Sequence, residues 1–172
     1  MPDRLALSDV VEVVDPAPYW QLLEERFGIP PSAFDGYVLV RPQSKKLHLV
    51  PADHVPPARP TPETVGLSFL RVKMTYPKLT TAAAMQFGRY ATRNVVDADA
   101  AQAEAFLTRQ PFDASAEALA RCTGRVYVLV RHAGWTLGVG FLAPNEDGAG
   151  GTVRSMFPKG WAREAEALAL EK

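Results

Sequence analysis

Cysteine is almost missing from this chain, histidine is scarce, and long apolar runs are absent. The 172 residues include one cysteine and three histidines. A single cysteine excludes an internal disulfide bond and any zinc site that needs several thiolates, and it suits a reducing compartment. No stretch of about eighteen residues is apolar and uncharged, so the sequence predicts no membrane-spanning helix. The first fifteen residues carry acidic side chains where a signal peptide has basic ones, which predicts a cytoplasmic protein.

Recognisable catalytic sets are absent as well. None of the three histidines forms a helical pair with metal-ligand spacing. The glycines of LGVG (137–140) lie within a β run, and those of GAGG (148–151) precede neither a lysine nor a helix, so neither segment matches a phosphate-binding loop. The sequence therefore predicts no enzyme activity, no metal and no cofactor. A small enzyme built on Cys122 and His132 is the least favoured alternative.

Acidic residues are unevenly distributed, although the formal net charge is zero. Residues 1–64 hold 6 basic and 9 acidic side chains, residues 65–163 hold 12 and 7, and residues 164–172 hold 1 and 3. Such asymmetry indicates a polyanionic partner, although a solvated basic face is the alternative. Between Glu63 and Asp97 the sequence has no acid and five bases, which are Arg71, Lys73, Lys78, Arg89 and Arg93.

Periodicity and chain breakers predict an α+β protein in two parts. In the first part, Asp15-Pro16 begins a helix that ends at Gly28, and residues 36–42 and 45–51 form a hairpin. A strand follows at 66–74, with Arg71 and Lys73 on one face. A helix over 79–90 places Arg89 and Arg93 one helical turn apart.

The second part is predicted to be mostly β. A buried strand at 94–97 precedes a helix that Asp97 or Asp99 caps, and a short helical turn follows Pro111. Residues 125–132 and 136–144 form a hairpin, and the chain returns as a strand after the glycine-rich turn 145–151. Phe157 and Trp161 either cover the core or stack on bases.

Three segments of this second part resemble a known RNA-binding module. NVVDADAAQAEAFLTRQPF, GRVYVLVRHAGWTLGVGFL and RSMFPKGWA resemble the PUA-like domain at the C-terminus of RsmF-type ribosomal RNA cytosine-5 methyltransferases. Upstream, FDGYVLVRPQSKKLHLVPADH and GLSFLRVKMTYPKLTTAAAMQFGRYATRN resemble the pre-PUA domain of those enzymes and of small ribosome-biogenesis factors. The resemblance covers roughly residues 19–163.

The resemblance implies an N-terminal α/β pre-PUA domain, residues 1–93 with a proline-rich connector at 51–65. It implies a small antiparallel β-barrel PUA-like domain over 94–163. The sequence pattern itself predicts a tail or helix at 164–172. The chain departs from the methyltransferases, because it lacks their S-adenosylmethionine loop and has one cysteine where their chemistry uses two.

We therefore expect a non-catalytic protein that binds structured RNA, ribosomal or transfer, in ribosome biogenesis or RNA modification. A separately encoded RNA methyltransferase or a ribosomal particle is an expected partner, and no membrane is. The alternative is a protein-interaction module or an accessory subunit of such a methyltransferase. The expected RNA-binding residues are Arg71, Lys73, Lys78, Arg89, Arg93, Arg131, His132, Arg154, Lys159 and Trp161.

Overall fold

The first half of the chain builds one antiparallel sheet. The computed structural model describes residues 6–57, 60 and 62–162. The sheet has five strands, and each pairs with the strand that follows it in the sequence. The strands are β1 (Glu12–Val13), β2 (Tyr37–Gln43), β3 (Lys46–Pro51), β4 (Leu67–Arg71) and β5 (Lys78–Leu79).

The second half builds another sheet of five strands. Its strands are β6 (Val95–Asp97), β7 (Phe112–Ser115), β8 (Val126–His132), β9 (Trp135–Pro144) and β10 (Gly150–Ser155). They lie in the order β6-β8-β9-β10-β7, with β6 parallel to β8 and the other pairs antiparallel. Sheets and helices together confirm the α+β class.

Side-chain caps mark where three of the helices begin. The Asp99 carboxylate accepts a hydrogen bond from the Gln102 amide at 2.8 Å, while Thr80 and Ser115 accept bonds from Ala83 and Ala118 in the same way. The helices with both ends among the described residues are α1 (Ala17–Phe27), α2 (Thr81–Phe87), α3 (Ala100–Leu107) and α4 (Ala116–Ala120), and residues 159–162 are helical as well. Short 3₁₀ segments are Leu7–Asp9, Pro31–Phe34 and Gly88–Tyr90.

The predicted first helix and both predicted hairpins are confirmed. Gly28 ends α1 in the left-handed region at φ 66°, as a glycine after the last helical residue favours. β2 pairs with β3, and β8 pairs with β9. Ala133 and Gly134, with φ of 47° and 82°, make the tight turn between β8 and β9.

Two expectations about basic residues are wrong at the level of the backbone. β4 ends at Arg71, and the backbone bends at residues 73–76, so Lys73 does not extend this strand. α2 ends at Phe87, and after a 3₁₀ turn the backbone at Ala91 is extended. Arg89 and Arg93 are therefore not one helical turn apart.

The largest core contains side chains from both halves of the chain. Phe69 and Phe87 from the first half and Leu129 and Val139 from the second are all at most 3% exposed within this cluster. α2 contacts both β4 and β9 and so lies between the sheets. A second core around Phe106 lies within the second half. Burial of each such side chain contributes about 1.5–3 kcal/mol.

One expectation, the tail or helix at 164–172, concerns residues that the structure does not describe. The described residues between β3 and β4 form neither helix nor strand. Within the described part of the chain, no helix combines the length and the apolar character that crossing a membrane requires.

Candidate functional site

Three basic residues lie side by side across the edge of the first sheet. Lys46 of β3 pairs with Arg71 of β4, and Arg71 pairs with Lys78 of β5. Directly paired residues in antiparallel strands project from the same face, so the three side chains form one line, here called the basic row. Like charges directly opposite each other are destabilising. The basic row is therefore an arrangement that folding alone does not favour.

The neighbouring positions explain why the chain accepts this register. Leu47 pairs with Leu70, and Leu70 pairs with Leu79, one residue along each strand. These three leucines are at most 1% exposed and belong to the largest core. Because side chains alternate across a strand, the alignment that buries the leucines also places the cations on the outer face.

The basic row opens onto a cleft of about 580 Å³ between the two halves of the molecule. Lys78 and Arg71 line it from the first sheet, while residues after β10 and at the end of α3 line it from the second half. We call it the basic cleft. Its lining consists of Ser68, Arg71, Lys78, Leu79, Thr80, Thr81, Ala82, Arg109, Val139, Met156, Phe157, Pro158, Lys159 and Trp161, with no acidic residue among them.

The cations of the basic cleft act on one another. Partial burial lowers the pKa of the Lys78 ammonium, and the positive charges of Arg71 and Arg109 lower it further. Among the described residues, ion pairs within 4 Å occur only at Arg41–Glu12 and Arg121–Asp97, both outside the cleft. No described carboxylate therefore neutralises the cleft, and its field favours an anionic ligand.

Aromatic and backbone contacts hold the far wall of the cleft. Arg109 follows α3 at φ 64° and donates a hydrogen bond from Nη1 to the Phe157 carbonyl. Phe157 is buried and contacts the Trp161 ring edge-on, with 5.8 Å between ring centroids. Trp161 remains 43% exposed. The cleft thus combines several cations, of which Arg109 is held by a hydrogen bond, with one accessible indole.

Lys73 lies close to the basic cleft but outside it. A shallow cavity of about 200 Å³ is lined by Lys45, Lys46, Arg71, Lys73 and Met74. Arg71 lines both this cavity and the basic cleft, so the two are adjacent. Lys45 and Lys73 extend the positive surface along the end of β3 and β4.

Arg154 lies elsewhere on the second sheet. It is exposed in β10 opposite Phe141 of β9, and Phe141 packs edge-on against Tyr127 with 5.4 Å between centroids. The Arg125 guanidinium lies 5.6 Å from the Phe141 ring centroid. This region is separate from the basic cleft, since none of these residues lines it.

Arg89 and Arg93 are divided between two local environments. Arg89 lies over the Tyr90 ring at 4.8 Å and donates from Nη2 to the Tyr90 hydroxyl at 2.8 Å. Arg93 donates from Nη1 to the Glu25 carbonyl at 3.4 Å, next to the end of α1. The structure does not bring this pair together.

Arg131 and His132 make contacts that hold the two halves and the hairpin in place. Arg131 Nη2 donates to the carbonyls of Gly88 and Ala91, at 3.1 and 3.3 Å. His132 Nδ1 lies 2.8 Å from the Ala98 carbonyl, and since a carbonyl only accepts, this nitrogen carries the proton. Both side chains are half-buried, and neither lines the basic cleft.

Cys122 has the properties of a structural thiol. Partial burial raises the pKa of its thiol, and the Arg121 charge opposes that effect. A raised pKa leaves little thiolate at neutral pH, which disfavours nucleophilic chemistry. Among the described residues, no three His, Cys, Asp or Glu side chains come together as a metal site would require.

Sequence reasoning missed two cations of the site, Lys46 and Arg109. Their positions at the site depend on the tertiary structure. Strand register aligns Lys46 with Arg71, and the end of α3 places Arg109 in the lining of the cleft. The available signal was the run QSKKLH at the hairpin turn, which places Lys45 and Lys46 beside the next strand. Sequence reasoning did find Arg71, Lys78, Lys159 and Trp161, which the fold brings into one cleft.

Comparison of the sequence with protein families and with curated proteins gives no relative. No protein-family model matches the chain, and no curated protein sequence matches it significantly.

Proposed function

We propose that this protein binds structured RNA without catalysis, through the basic cleft and the adjacent basic row. The proposed role is that of a cytoplasmic factor acting on ribosomal or transfer RNA, in ribosome biogenesis or RNA modification. A separately encoded RNA methyltransferase or a ribosomal particle is the proposed protein partner. The proposed layout is a pre-PUA domain followed by a PUA-like β-barrel, in line with the sequence resemblance.

The observation that carries this proposal is the basic row, Lys46, Arg71 and Lys78, on three paired strands. Aligned cations that lack a described carboxylate partner gain most from a ligand with closely spaced negative charges. A polyphosphate backbone supplies such charges, and its bound counterions are released when cations replace them. Binding of this kind relieves the mutual repulsion within the row.

Trp161 supports RNA over a simple anion. Its ring is 43% exposed beside the cations, although Phe157 holds one edge. An indole next to phosphate-binding cations is suited to stacking on an unpaired base. A site for a free inorganic anion needs no such surface.

Binding of unfractionated transfer RNA, measured by mobility shift, tests the proposal. Four cleft cations, Arg71, Lys78, Arg109 and Lys159, predict that affinity falls by roughly a hundredfold between 50 and 200 mM salt. The double variant Arg71→Gln/Lys78→Gln is expected to bind much more weakly and with a salt dependence lower by about two charges.

A matched control removes the same charge elsewhere. Arg41→Gln/Arg121→Gln eliminates two arginines that pair with Glu12 and Asp97 outside the cleft. We expect this control to bind RNA nearly as the unmodified protein does. Equal losses in both double variants would contradict a specific cleft, and absence of binding at low salt would overturn the proposed function in favour of a protein-interaction module.

A further inference from the structure

Trp135 is an exposed aromatic side chain that lies outside the basic cleft and the basic row. It is 78% exposed, the highest value among the described large hydrophobic side chains. Met85, 45% exposed, lines the same cavity, so the two side chains form an exposed apolar patch, which is a feature of interaction sites. Trp135 contributes little to the core, so its position calls for a different explanation.

The backbone holds Trp135 firmly despite its exposure. It begins β9 directly after the turn at Ala133 and Gly134, and it pairs with His132 of β8. His132 is itself fixed by its hydrogen bond to the Ala98 carbonyl. A ring presented from a paired strand loses little conformational entropy on binding, which favours affinity.

Polar groups lie beside the indole. Trp135 lines a cavity of about 620 Å³ together with Met85, Gln86, Arg89 and Thr136, next to the turn at Ala133 and Gly134. The Gln86 amide donates a long hydrogen bond of 3.5 Å to the Tyr37 hydroxyl. Arg89 is exposed beyond its contact with Tyr90. A nucleobase can stack on such a ring and form hydrogen bonds with the amide and guanidinium groups beside it.

A single helix joins this cavity to the basic cleft. Ala82 lines the basic cleft, while Met85, Gln86 and Arg89 line the cavity at Trp135. Positions 82, 85 and 86 are neighbours on the face of α2 that points away from the core, and Arg89 follows in the 3₁₀ segment Gly88–Tyr90. From Ala82 to Gln86 the helix rises about 6 Å at 1.5 Å per residue, so one short segment of RNA can reach both cavities.

From this continuity, and resting on the proposed function, we infer that the protein binds an unpaired segment of RNA. The segment runs from the basic cleft along α2, and one of its bases stacks on Trp135. In a duplex the bases already stack on one another and their faces are inaccessible, so only unpaired nucleotides use this ring. The inference narrows the proposed ligand to RNA with a single-stranded stretch.

The test uses a fluorescein-labelled oligouridylate of about 12 nucleotides, within the range that single-strand-binding folds cover. We expect Trp135→Ala to weaken binding of this probe about tenfold, the effect of losing one aromatic stacking partner. Trp135→Phe keeps a stacking ring and is expected to bind within about twofold of the unmodified protein. Binding of a blunt RNA duplex of equal length is expected to be the same for all three proteins.

Three results would overturn the inference: unchanged binding in Trp135→Ala, equal losses in Trp135→Ala and Trp135→Phe, or no binding of the oligouridylate by a protein that binds transfer RNA. In each case the Arg71→Gln/Lys78→Gln variant separates the two proposals. If that variant still loses transfer RNA binding, the proposed function stands without the path to Trp135. Because Trp135 is exposed, thermal unfolding of both single variants is expected to match the unmodified protein, which excludes a folding defect as the cause.

Discussion

At the scale of single residues, the positive charge of Lys78 lowers the free energy of unfolding. Burial and two neighbouring arginines lower the pKa of its ammonium in the folded protein. The unfolded chain therefore binds this proton more tightly than the folded one. Below the folded-state pKa the penalty is fully present, and stability rises as the pH increases from the folded-state pKa towards the unfolded one.

Lys78→Gln is expected to raise the free energy of unfolding by about 0.5 kcal/mol at neutral pH, because it removes one of three aligned like charges. Arg41→Gln is the matched control, since it also removes one charge but breaks the 3.3 Å ion pair with Glu12. It is expected to lower stability by about 0.2–1 kcal/mol. Urea unfolding at neutral pH and near pH 10 measures both effects, and the advantage of Lys78→Gln shrinks at the higher pH. A destabilised Lys78→Gln variant would contradict the account.

The sequence could identify residue types at the site but not their pairing. Arg71 and Lys78 stand out because no acid occurs around them in the chain. Their alignment with Lys46 depends on the register of β3, β4 and β5, which long-range burial of the leucines sets. Arg131 looked equivalent in the sequence, yet its guanidinium is used to join β8 to the end of α2.

At the scale of elements, the contact between α2 and β9 depends on a glycine. A Cβ at Gly88 would lie 2.5 Å from Thr136 Oγ1 and 2.9 Å from Thr136 Cβ. Thr136 is 7% exposed, so its short side chain has little room to move. Gly88 has an ordinary φ of −60°, and the backbone itself would accept alanine.

Gly88→Ala is therefore expected to destabilise the protein by about 1–3 kcal/mol through overpacking, despite the better helix propensity of alanine. Gly160→Ala is the matched control, because no described atom lies within 4 Å of a Cβ there. Thermal and urea unfolding compare the two variants. A Gly88→Ala protein as stable as the control would show that the contact between α2 and β9 adjusts freely.

Long patterned elements were predictable and short ones were not. The β8–β9 hairpin has two alternating apolar runs around a glycine turn, so its type and pairing follow from the sequence. β5 has two residues and β7 has four, FDAS, without a branched apolar side chain. These strands exist because a neighbouring strand is available to pair with, a condition that local sequence does not contain.

At the scale of the whole molecule, the two sheets share their largest core. Leu129 and Val139 of the second sheet are at most 1% exposed against side chains of the first half. The sequence placed a boundary near residue 93 because the pattern changes there from mixed to mostly β. Sequence patterns indicate where elements change, whereas burial across that position depends on how the sheets meet.

We expect one cooperative unfolding transition for the whole chain, because neither half can keep its part of the shared core without the other. Circular dichroism reports both sheets, and a Trp135→Phe/Trp161→Phe variant leaves Trp20, stacked on Phe34 at 4.2 Å, to report the first half by fluorescence. The two midpoints are expected to coincide. Leu129→Ala is expected to reduce the free energy of unfolding by about 2–5 kcal/mol, and both midpoints should fall together. Separate midpoints would show two independently folding halves.

The shared register of the leucines and the basic row has a practical consequence for handling this protein. A slip of one residue in β3, β4 or β5 would turn the leucines outward and the cations inward, so a misfolded molecule could not display the row at all. The molar ratio at which a tightly binding polyanion saturates a preparation would then give the fraction of correctly folded molecules. Titration stoichiometry thus becomes a measure of conformational purity, obtained without any assay of turnover.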